Sequence, residues 1–380
     1  MSPSNQAAWI PAKKVKPLQV GDAPYTPPGP GEMVVKNGAV AVNPFDWVIQ
    51  LIGPVLAGYI QYPFILGTDV AGTVVEVGPG MERFRVGQRV LGSAAALAKE
   101  SNRAAEGGFQ LYTVMREYMA APTPDHVTDE QACVLGLGLG TAAYGLFHQD
   151  YLGLDLPQVP PRPTINAQGK PRAVIITGGS SSVGSNAVQL AASAGYEVLS
   201  TSSPKNFAYV KSLRATHVFD YNSPTLVQDL LHALEGRELA GAYVIGEGAL
   251  DACTAVMKRH DPKMTNKRIA VAGSPSSGEG LESFLGTTRR VGSMMGFMLK
   301  LALTRLLNGV DAKFIQLTDL VDPQSVVSRL YLDFLPQALE ERQFVPAPPP
   351  VVVGKGLEKI QEALDIQRKG VSAKKVVVSL

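Results

Sequence analysis

The segment AVIITGGSSSVG, residues 173–184, decides the fold. It has the pattern of a short apolar strand, a glycine-rich turn and the beginning of a helix. Glycines let the backbone turn tightly and approach a phosphate, while the N–H groups and positive dipole end of the new helix face the anion. The residues predicted to hold a dinucleotide phosphate are Gly178, Gly179, Ser180, Ser181, Ser182, Val183 and Gly184. A purely structural turn is the alternative.

The segments after this loop alternate between apolar runs and helical stretches. They read, in order, YEVLSTS (196–202), KNFAYVKSLRA (205–215) and THVFDY (216–221). A series of strand, helix and strand is typical of a parallel sheet with right-handed crossover helices. We therefore predict an α/β architecture with a doubly wound, parallel-sheet Rossmann domain over residues 131–324.

Both ends of the chain show a different pattern. The first third contains β-rich segments separated by glycine and proline, such as MVVKNGAVAVNP (33–44) and VAGTVVEVGPG (70–80). Near the C-terminus, LEKIQEALDIQRKG (357–370) is typical of an amphipathic helix that ends at Gly370, and KKVVVSL (374–380) of a strand. We predict that residues 1–130 and 325–380 form one mostly antiparallel lobe.

The end of the second predicted strand indicates the dinucleotide. An acidic residue there would bind the ribose hydroxyls of NAD and repel a 2′-phosphate. Instead the chain has Ser202, Ser203 and Lys205. Hydroxyls and an ammonium suit a phosphate, because hydrogen bonds assisted by charge favour an anion. NADPH is therefore the predicted cofactor, although serines and a lysine also occur in ordinary solvated loops.

Composition and charge exclude several classes of protein. The formal net charge is only +2 and no run of like charges occurs, which disfavours nucleic-acid partners. Two cysteines, Cys133 and Cys253, are too few for a disulfide framework. The N-terminus lacks the apolar core of a signal peptide, so we expect a cytoplasmic protein. Lys300 and Arg305 interrupt the apolar stretch 291–310, which favours a buried or substrate-lining helix over a membrane span.

Several segments together resemble one known family. They are AVAVNPFDW (39–47), FILGTDVAGTVVEVG (64–78), VGQRVLG (86–92), GGFQLYTV (107–114) and GLGLGTAAYGL (136–146). With the phosphate loop, they resemble the zinc-independent medium-chain dehydrogenases/reductases of the quinone-oxidoreductase-like branch. The similarity is greatest to fungal trans-acting enoyl reductases and related proteins named zinc-binding oxidoreductases. This resemblance implies a GroES-like catalytic lobe beside the Rossmann lobe.

The zinc of other family members is not expected in this chain. Zinc-dependent members carry a ligand cysteine and a Gly-His-Glu motif where this sequence has Asn43 and Gly67-Thr68-Asp69. The neutral side chains of asparagine and threonine do not replace a thiolate and an imidazole as zinc ligands. We therefore predict no metal site.

The resemblance also implies particular site residues. The predicted catalytic residues are Asn43, Asp46 and Thr141; the further cofactor contacts are Ser202, Ser203, Lys205 and Tyr221; and the predicted pocket residues are Trp47, Val48, Tyr59 and Tyr62. Each group has a plainer alternative. The first two residues can cap a helix, Thr141 can be structural, Tyr221 can pack at a sheet edge, and Tyr59 and Tyr62 can belong to the core.

One position departs from the pattern of these relatives. They often read Asn-Pro-x-Asp-x-Lys, whereas Val48 stands here in place of the lysine and can neither anchor a carbonyl nor donate a proton. The leading hypothesis is an NADPH-dependent reductase that transfers hydride to the activated C=C bond of an enoyl, enone or quinone-like secondary metabolite. The substrate is a small molecule or an acyl thioester on a carrier protein. The alternatives are a non-redox isomerase, dehydratase or cyclase on the same scaffold, and a cofactor-binding protein without turnover.

Overall fold

Strands dominate both ends of the chain and alternate with helices in its middle. The computed structural model describes residues 3–246, 248–261, 267–273 and 284–380. The strands, in chain order, are β1 (Asn5–Ile10), β2 (Gln19–Ala23), β3 (Glu32–Ala41), β4 (Phe64–Ile65), β5 (Asp69–Val77), β6 (Arg89–Ser93), β7 (Tyr112–Arg116), β8 (Ala120–Pro122), β9 (Arg172–Ile176), β10 (Glu197–Ser202), β11 (His217–Asp220), β12 (Glu238–Val244), β13 (Arg268–Val271), β14 (Asp311–Phe314), β15 (Pro350–Lys355) and β16 (Lys375–Ser379). The α-helices are α1 (Pro44–Leu56), α2 (Asp129–Ala132), α3 (Gly136–Phe147), α4 (Ser182–Ser193), α5 (Phe207–Ser212), α6 (Leu226–Ala233), α7 (Ala249–His260), α8 (Phe284–Asn308), α9 (Val326–Arg329), α10 (Leu335–Glu340) and α11 (Ile360–Lys369).

These elements form two units. The first unit comprises the described residues within 1–140, 278–287 and 319–380, and the second comprises those within 141–277 and 288–318.

The first unit is built on a largely antiparallel sheet. Its strand order is β15-β16-β3-β5-β6-β8, with β7 paired to β3, and a separate three-stranded sheet has the order β2-β1-β4. The terminal strand β16 pairs antiparallel with β3, so that Val377 lies opposite Ala41. Helix α11 ends at Gly370, as the amphipathic pattern predicts. The C-terminal residues therefore complete the lobe that the N-terminal third begins, and the predicted GroES-like architecture is confirmed.

The second unit is a parallel sheet. Its strand order is β11-β10-β9-β12-β13-β14, and every neighbouring pair is parallel. This order is that of a doubly wound dinucleotide-binding sheet, in which ligands bind at the carboxyl ends of the strands where the order reverses. That reversal lies between β9 and β12. The predicted Rossmann architecture is confirmed, and it places the turn after β9 at the expected ligand edge.

Helix α8 differs in part from its prediction. Among its described side chains from residue 292 onward, only Leu301 and Thr304 are buried, whereas Met295 is 69% exposed and Leu306 is 78% exposed. The helix thus packs through one narrow stripe, and its exposed faces carry apolar side chains such as Leu306 as well as charged ones such as Lys300. Those exposed faces do not fit the buried alternative, and the substrate-lining alternative stays a prediction. Within the described part of the chain, none of the helices combines the length and the apolar character that crossing a bilayer requires.

Candidate active site

The start of α1 brings two of the predicted catalytic residues together. Asn43 is the residue before the helix, and Pro44 occupies its first turn, where a missing N–H costs nothing. The Asp46 carboxylate accepts a hydrogen bond from the Asn43 backbone N–H through Oδ2, at 2.8 Å. Asp46 thus caps the helix, as the plainer alternative requires. Asn43 and Asp46 together form a capping box, and the Asn43 side chain also has partners outside the helix.

The Asn43 side chain belongs to a buried polar network. Its Nδ2 donates to Thr68 Oγ1 at 3.0 Å, and its Oδ1 accepts from Lys375 Nζ at 2.5 Å. The same ammonium lies 2.8 Å from Asp69 Oδ2 in an ion pair. The other oxygen of Asp69 accepts from Thr68 Oγ1 at 2.9 Å and from the Leu137 N–H at 2.7 Å. Segments far apart in sequence therefore meet in one network.

This network contains opposite charges in a water-free environment. The Lys375 side chain is 4% exposed and the Asp69 side chain is not exposed at all. Burying an ion is unfavourable by several kcal/mol on the order-of-magnitude scale, unless a partner and hydrogen bonds compensate. Asp69 and Lys375 neutralise each other, and their hydrogen bonds to Asn43, Thr68 and Leu137 further compensate for the loss of hydration.

The carboxyl of Asp46 has an unusual acidity. Burial raises the pKa of Asp46 from 3.8 to about 7, the negative charge of Asp69 adds to this rise, and the hydrogen bond from Asn43 and the charge of Lys375 oppose it. Asp46 Oδ1 is buried and has no hydrogen-bond partner among the described residues. Near neutral pH this group therefore exists in both protonation states, which is typical of functional sites.

The negative charge of Asp69 also acts on two further buried groups. Burial raises the pKa of the Cys133 thiol well above its ordinary value, and the charge of Asp69 adds to the effect. The same two causes raise the pKa of Tyr331. The Tyr331 hydroxyl is buried without a hydrogen-bond partner in the described structure and belongs to a π-helical turn, Leu330–Phe334. Such turns are frequent at functional sites.

Thr141 lies half-buried within α3. Its backbone carbonyl accepts a hydrogen bond from the Tyr243 hydroxyl at 3.0 Å. The network reaches α3 at its first turn, where Asp69 accepts from the Leu137 N–H. The structure thus joins Asn43 and Asp46 directly, and Thr141 belongs to the second unit.

The predicted pocket residues have the contacts of core residues. Trp47 and Val48 are 7% and 9% exposed and belong to the apolar core of the first unit. The Trp47 indole donates to Gln367 Oε1. Tyr59 and Tyr62 are partly buried against the same core; Tyr59 donates to the Leu97 carbonyl at 2.7 Å. Their role in a substrate pocket stays a prediction.

The phosphate loop of the second unit has the geometry that an anion requires. Gly178 has φ +63°, a backbone conformation that favours glycine. A Cβ at Gly184 would lie 2.1 Å from the Gly178 carbonyl oxygen, so this position admits no side chain. Ser181 caps α4 by accepting from the Gly184 N–H at 3.0 Å. Ser182 Oγ is buried without a hydrogen-bond partner among the described residues, so it is available to donate to a phosphate oxygen.

The end of β10 lies beside this loop. The strand ends at Ser202, and the Asn206 side chain donates to both Ser180 Oγ and Ser203 Oγ, at 3.3 and 3.1 Å. Lys205 is exposed, and its ammonium has no partner in the described part of the chain. This arrangement gathers hydroxyls and one cation without a carboxylate at the strand end. Tyr221 follows β11 and is 54% exposed, which leaves its role open.

Lys375 and Asp69 are the residues that sequence reasoning missed. Asp69 stands at the start of β5, directly before the apolar residues Val70 and Ala71, and a charge at that position was an available signal. Lys375 follows Lys374 near the C-terminus, where a lysine is most simply interpreted as exposed. Its partners are 306 and 332 residues away, and only the pairing of β16 with β3 and of β3 with β5 brings them together.

Comparisons with known proteins agree with this architecture. Residues 29–125 match the alcohol dehydrogenase GroES-like domain. The chain is 47% identical to "Dehydrogenase pigH" of Monascus ruber over 378 residues, covering 100% of both chains. It is 35% identical to "Trans-enoyl reductase himH" of Aspergillus japonicus, covering 99% of this chain and 97% of that one. The solved structure of CurK enoyl reductase shares the fold with a TM-score of 0.70 and 18% identity, covering 99% of each chain.

Proposed function

We propose that this chain, which belongs to the medium-chain dehydrogenase/reductase superfamily alongside fungal dehydrogenases and trans-enoyl reductases, is an NADPH-dependent reductase of activated C=C bonds. Its substrate is an enoyl, enone or quinone-like metabolite, either free or as an acyl thioester on a carrier protein. The relatives named trans-enoyl reductase support this substrate class.

One observation carries the cofactor choice. The phosphate loop adjoins a strand end that offers Ser203 and an exposed, unpaired Lys205 and has no carboxylate, in the part of the structure described. A 2′-phosphate would gain a cation there, and the residues that end β10 itself add no like charge. The buried Ser182 hydroxyl, which has no partner among the described residues, fits the diphosphate of the same molecule.

The residues of the chain have separate tasks in this proposal. When bound, the nicotinamide ring supplies the hydride that reduces the C=C bond. The loop residues and Lys205 hold the phosphates. Asn43 and Asp46 fix the start of α1, and Asp46 changes protonation near neutral pH, so the pH dependence of turnover is expected to follow it.

The two thiols support the proposed location. Cys133 and Cys253 are both free and buried. Unpaired cysteines fit a reducing compartment and support a cytoplasmic protein.

The direct test is turnover of a substrate panel. Purified protein is incubated with NADPH or NADH and with enoyl thioesters, enones and quinones, and cofactor oxidation and reduced product are both quantified. We expect one reduced product per NADPH oxidised and at least a tenfold preference over NADH. Conversion of a substrate without oxidation of cofactor would instead favour the isomerase, dehydratase or cyclase alternative.

A further inference from the structure

The position of Lys375 is set by strand pairing. The Val42 N–H donates to the Val376 carbonyl at 3.0 Å, which places the start of β16 against the segment that follows β3. On the other side of β3, Ala41 lies opposite Asp69 in β5. Lys375, Asn43 and Asp69 are therefore neighbours on three adjacent segments of one sheet. The ammonium lies between the other two side chains and is sealed from water by the core.

The partners of Lys375 control the starts of two helices. Asn43 is the residue from which α1 begins, and it carries Asp46 one turn later. Asp69 accepts from the Leu137 N–H in the first turn of α3, and a Cβ at Gly136 would lie 2.3 Å from the same carboxylate oxygen. The backbone of α3 therefore lies directly against Asp69. Thr141 follows one turn further along that helix.

We propose that Lys375 is a positioning residue of this enzyme: its ammonium fixes the Asn43 side chain and the Asp69 carboxylate, and through them the helix starts that carry Asn43, Asp46 and Thr141. The ammonium has no exposed surface from which to reach a substrate, so it acts through its partners. Lys375 lies near the C-terminal end of the sequence and supplies a fixed positive charge in the first unit. Position 48 of the same unit is an apolar valine. This inference rests on the proposed reductase function.

The electrostatics of Asp46 agree with this role. Burial has the largest effect on the pKa of Asp46 and raises it. The charge of Asp69 adds to this rise, and the charge of Lys375 opposes it. The charged and titratable groups that interact in this network are Asp46, Asp69, Lys375, Cys133 and Tyr331. Loss of the ammonium therefore changes both the geometry and the protonation of the network.

A purely structural ion pair is the competing explanation, and removal of both charges separates the two. Lys375→Met alone leaves Asp69 buried and unpaired, and such a variant can simply fail to fold. The double variant Lys375→Met/Asp69→Asn keeps an acceptor for the Leu137 N–H and removes both charges of the buried ion pair. It therefore reports on positioning in a folded protein. Lys374→Met, which changes the exposed neighbouring lysine, is the matched control.

The experiment measures two properties of the full-length double variant. The first is hydrogen exchange of the Asn43 side-chain amide by NMR, because its Nδ2 donates to Thr68 within the network. The second is kcat and KM for the substrate that the parent reduces with NADPH. We expect amide exchange at least roughly tenfold faster and kcat at least roughly tenfold lower, with KM changed less than about threefold. Lys374→Met should match the parent in both.

The outcomes separate this inference from the proposed function. A folded double variant with a protected Asn43 amide, or with kcat within about twofold of the parent, would overturn the positioning role. If the parent itself reduces nothing, the reductase proposal fails. Amide exchange still decides whether Lys375 fixes Asn43.

Discussion

The buried network of the first unit and the phosphate loop of the second are polar sites built in opposite ways. The network joins Asn43, Thr68, Asp69 and Lys375, which come from distant segments, and its opposite charges neutralise each other in the core. The loop is one continuous segment after β9. It retains the Ser182 hydroxyl, which has no partner among the described residues. The exposed cation Lys205 follows shortly after the neighbouring strand β10.

This difference indicates which of the two sites can bind a ligand and which one positions helices. A network whose donors, acceptors and charges are already matched cannot take up a charged ligand without losing an internal partner, and such a loss is costly in a water-free site. A loop with free donors at a helix start can take up an anion at little cost. The loop is therefore suited to binding, and the network to holding helices in place.

The largest effect is expected from breaking the ion pair on one side. Lys375→Met leaves the Asp69 carboxylate buried without its cation, and we expect the free energy of unfolding to fall by about 3–5 kcal/mol. Urea denaturation measures it. Lys374→Met, in the exposed neighbouring residue, should stay within about 0.5 kcal/mol of the parent. Equal effects of the two substitutions would show that the pair has no special weight.

The second effect tests the loop. Gly184→Ala places a Cβ against the Gly178 carbonyl oxygen, so the loop must shift, and we expect NADPH to bind roughly ten- to a hundredfold more weakly. Fluorescence titration with NADPH measures the Kd. Gly296→Ala, at an exposed position of α8 with open space around the new methyl group, is the control and should leave the Kd unchanged. An unaltered Kd in Gly184→Ala would argue against phosphate binding at this loop.

The third effect concerns pH. The pKa of Asp46 is about 7 in the folded protein and 3.8 is its ordinary value, so the unfolded chain loses this proton first as pH rises. The stabilising contribution of the protonated carboxyl is complete below about pH 4 and is lost by about pH 7. Relative to Asp46→Asn, the parent should therefore lose roughly 1–3 kcal/mol of unfolding free energy between about pH 5 and pH 7.

Urea denaturation across this pH range measures the difference. Asp125→Asn removes an exposed carboxylate instead of a buried one and is the matched control. A parent that keeps a constant difference from Asp46→Asn over this range would contradict the raised pKa.

The smallest effect sharpens the choice of cofactor. Lys205→Glu places a like charge near the 2′-phosphate, and we expect the Kd for NADPH to rise roughly tenfold while that for NADH changes little. Titration with both cofactors measures the two constants. Lys211→Glu, an exposed change of the same kind in α5, should leave both constants as they are. Equal weakening by the two substitutions would point to general surface charge.

The same contrast explains what the sequence could predict. The glycine-rich turn at residues 178–184, the parallel sheet of the Rossmann domain and the C-terminal strand of the first lobe are encoded in local patterns, and the structure confirms this two-part α/β architecture. The network depends on pairing between β16, β3 and β5, and no local pattern reports which side chains that register brings together. Asn43 was singled out from the sequence, and its catalytic role stays a prediction; its partner Lys375 was not singled out. Helix α8 was predicted to be more buried than it is, because its sequence does not reveal which face packs.

The central claim is hydride transfer from NADPH to a C=C bond, and isotope tracing tests it most directly. NADPH carrying deuterium on one or the other face of the nicotinamide ring is supplied with each member of the substrate panel, and the products are examined by mass spectrometry and NMR. The account predicts deuterium on a carbon of the reduced product, delivered from one face only. A protein that binds NADPH but delivers no label to any product would contradict it.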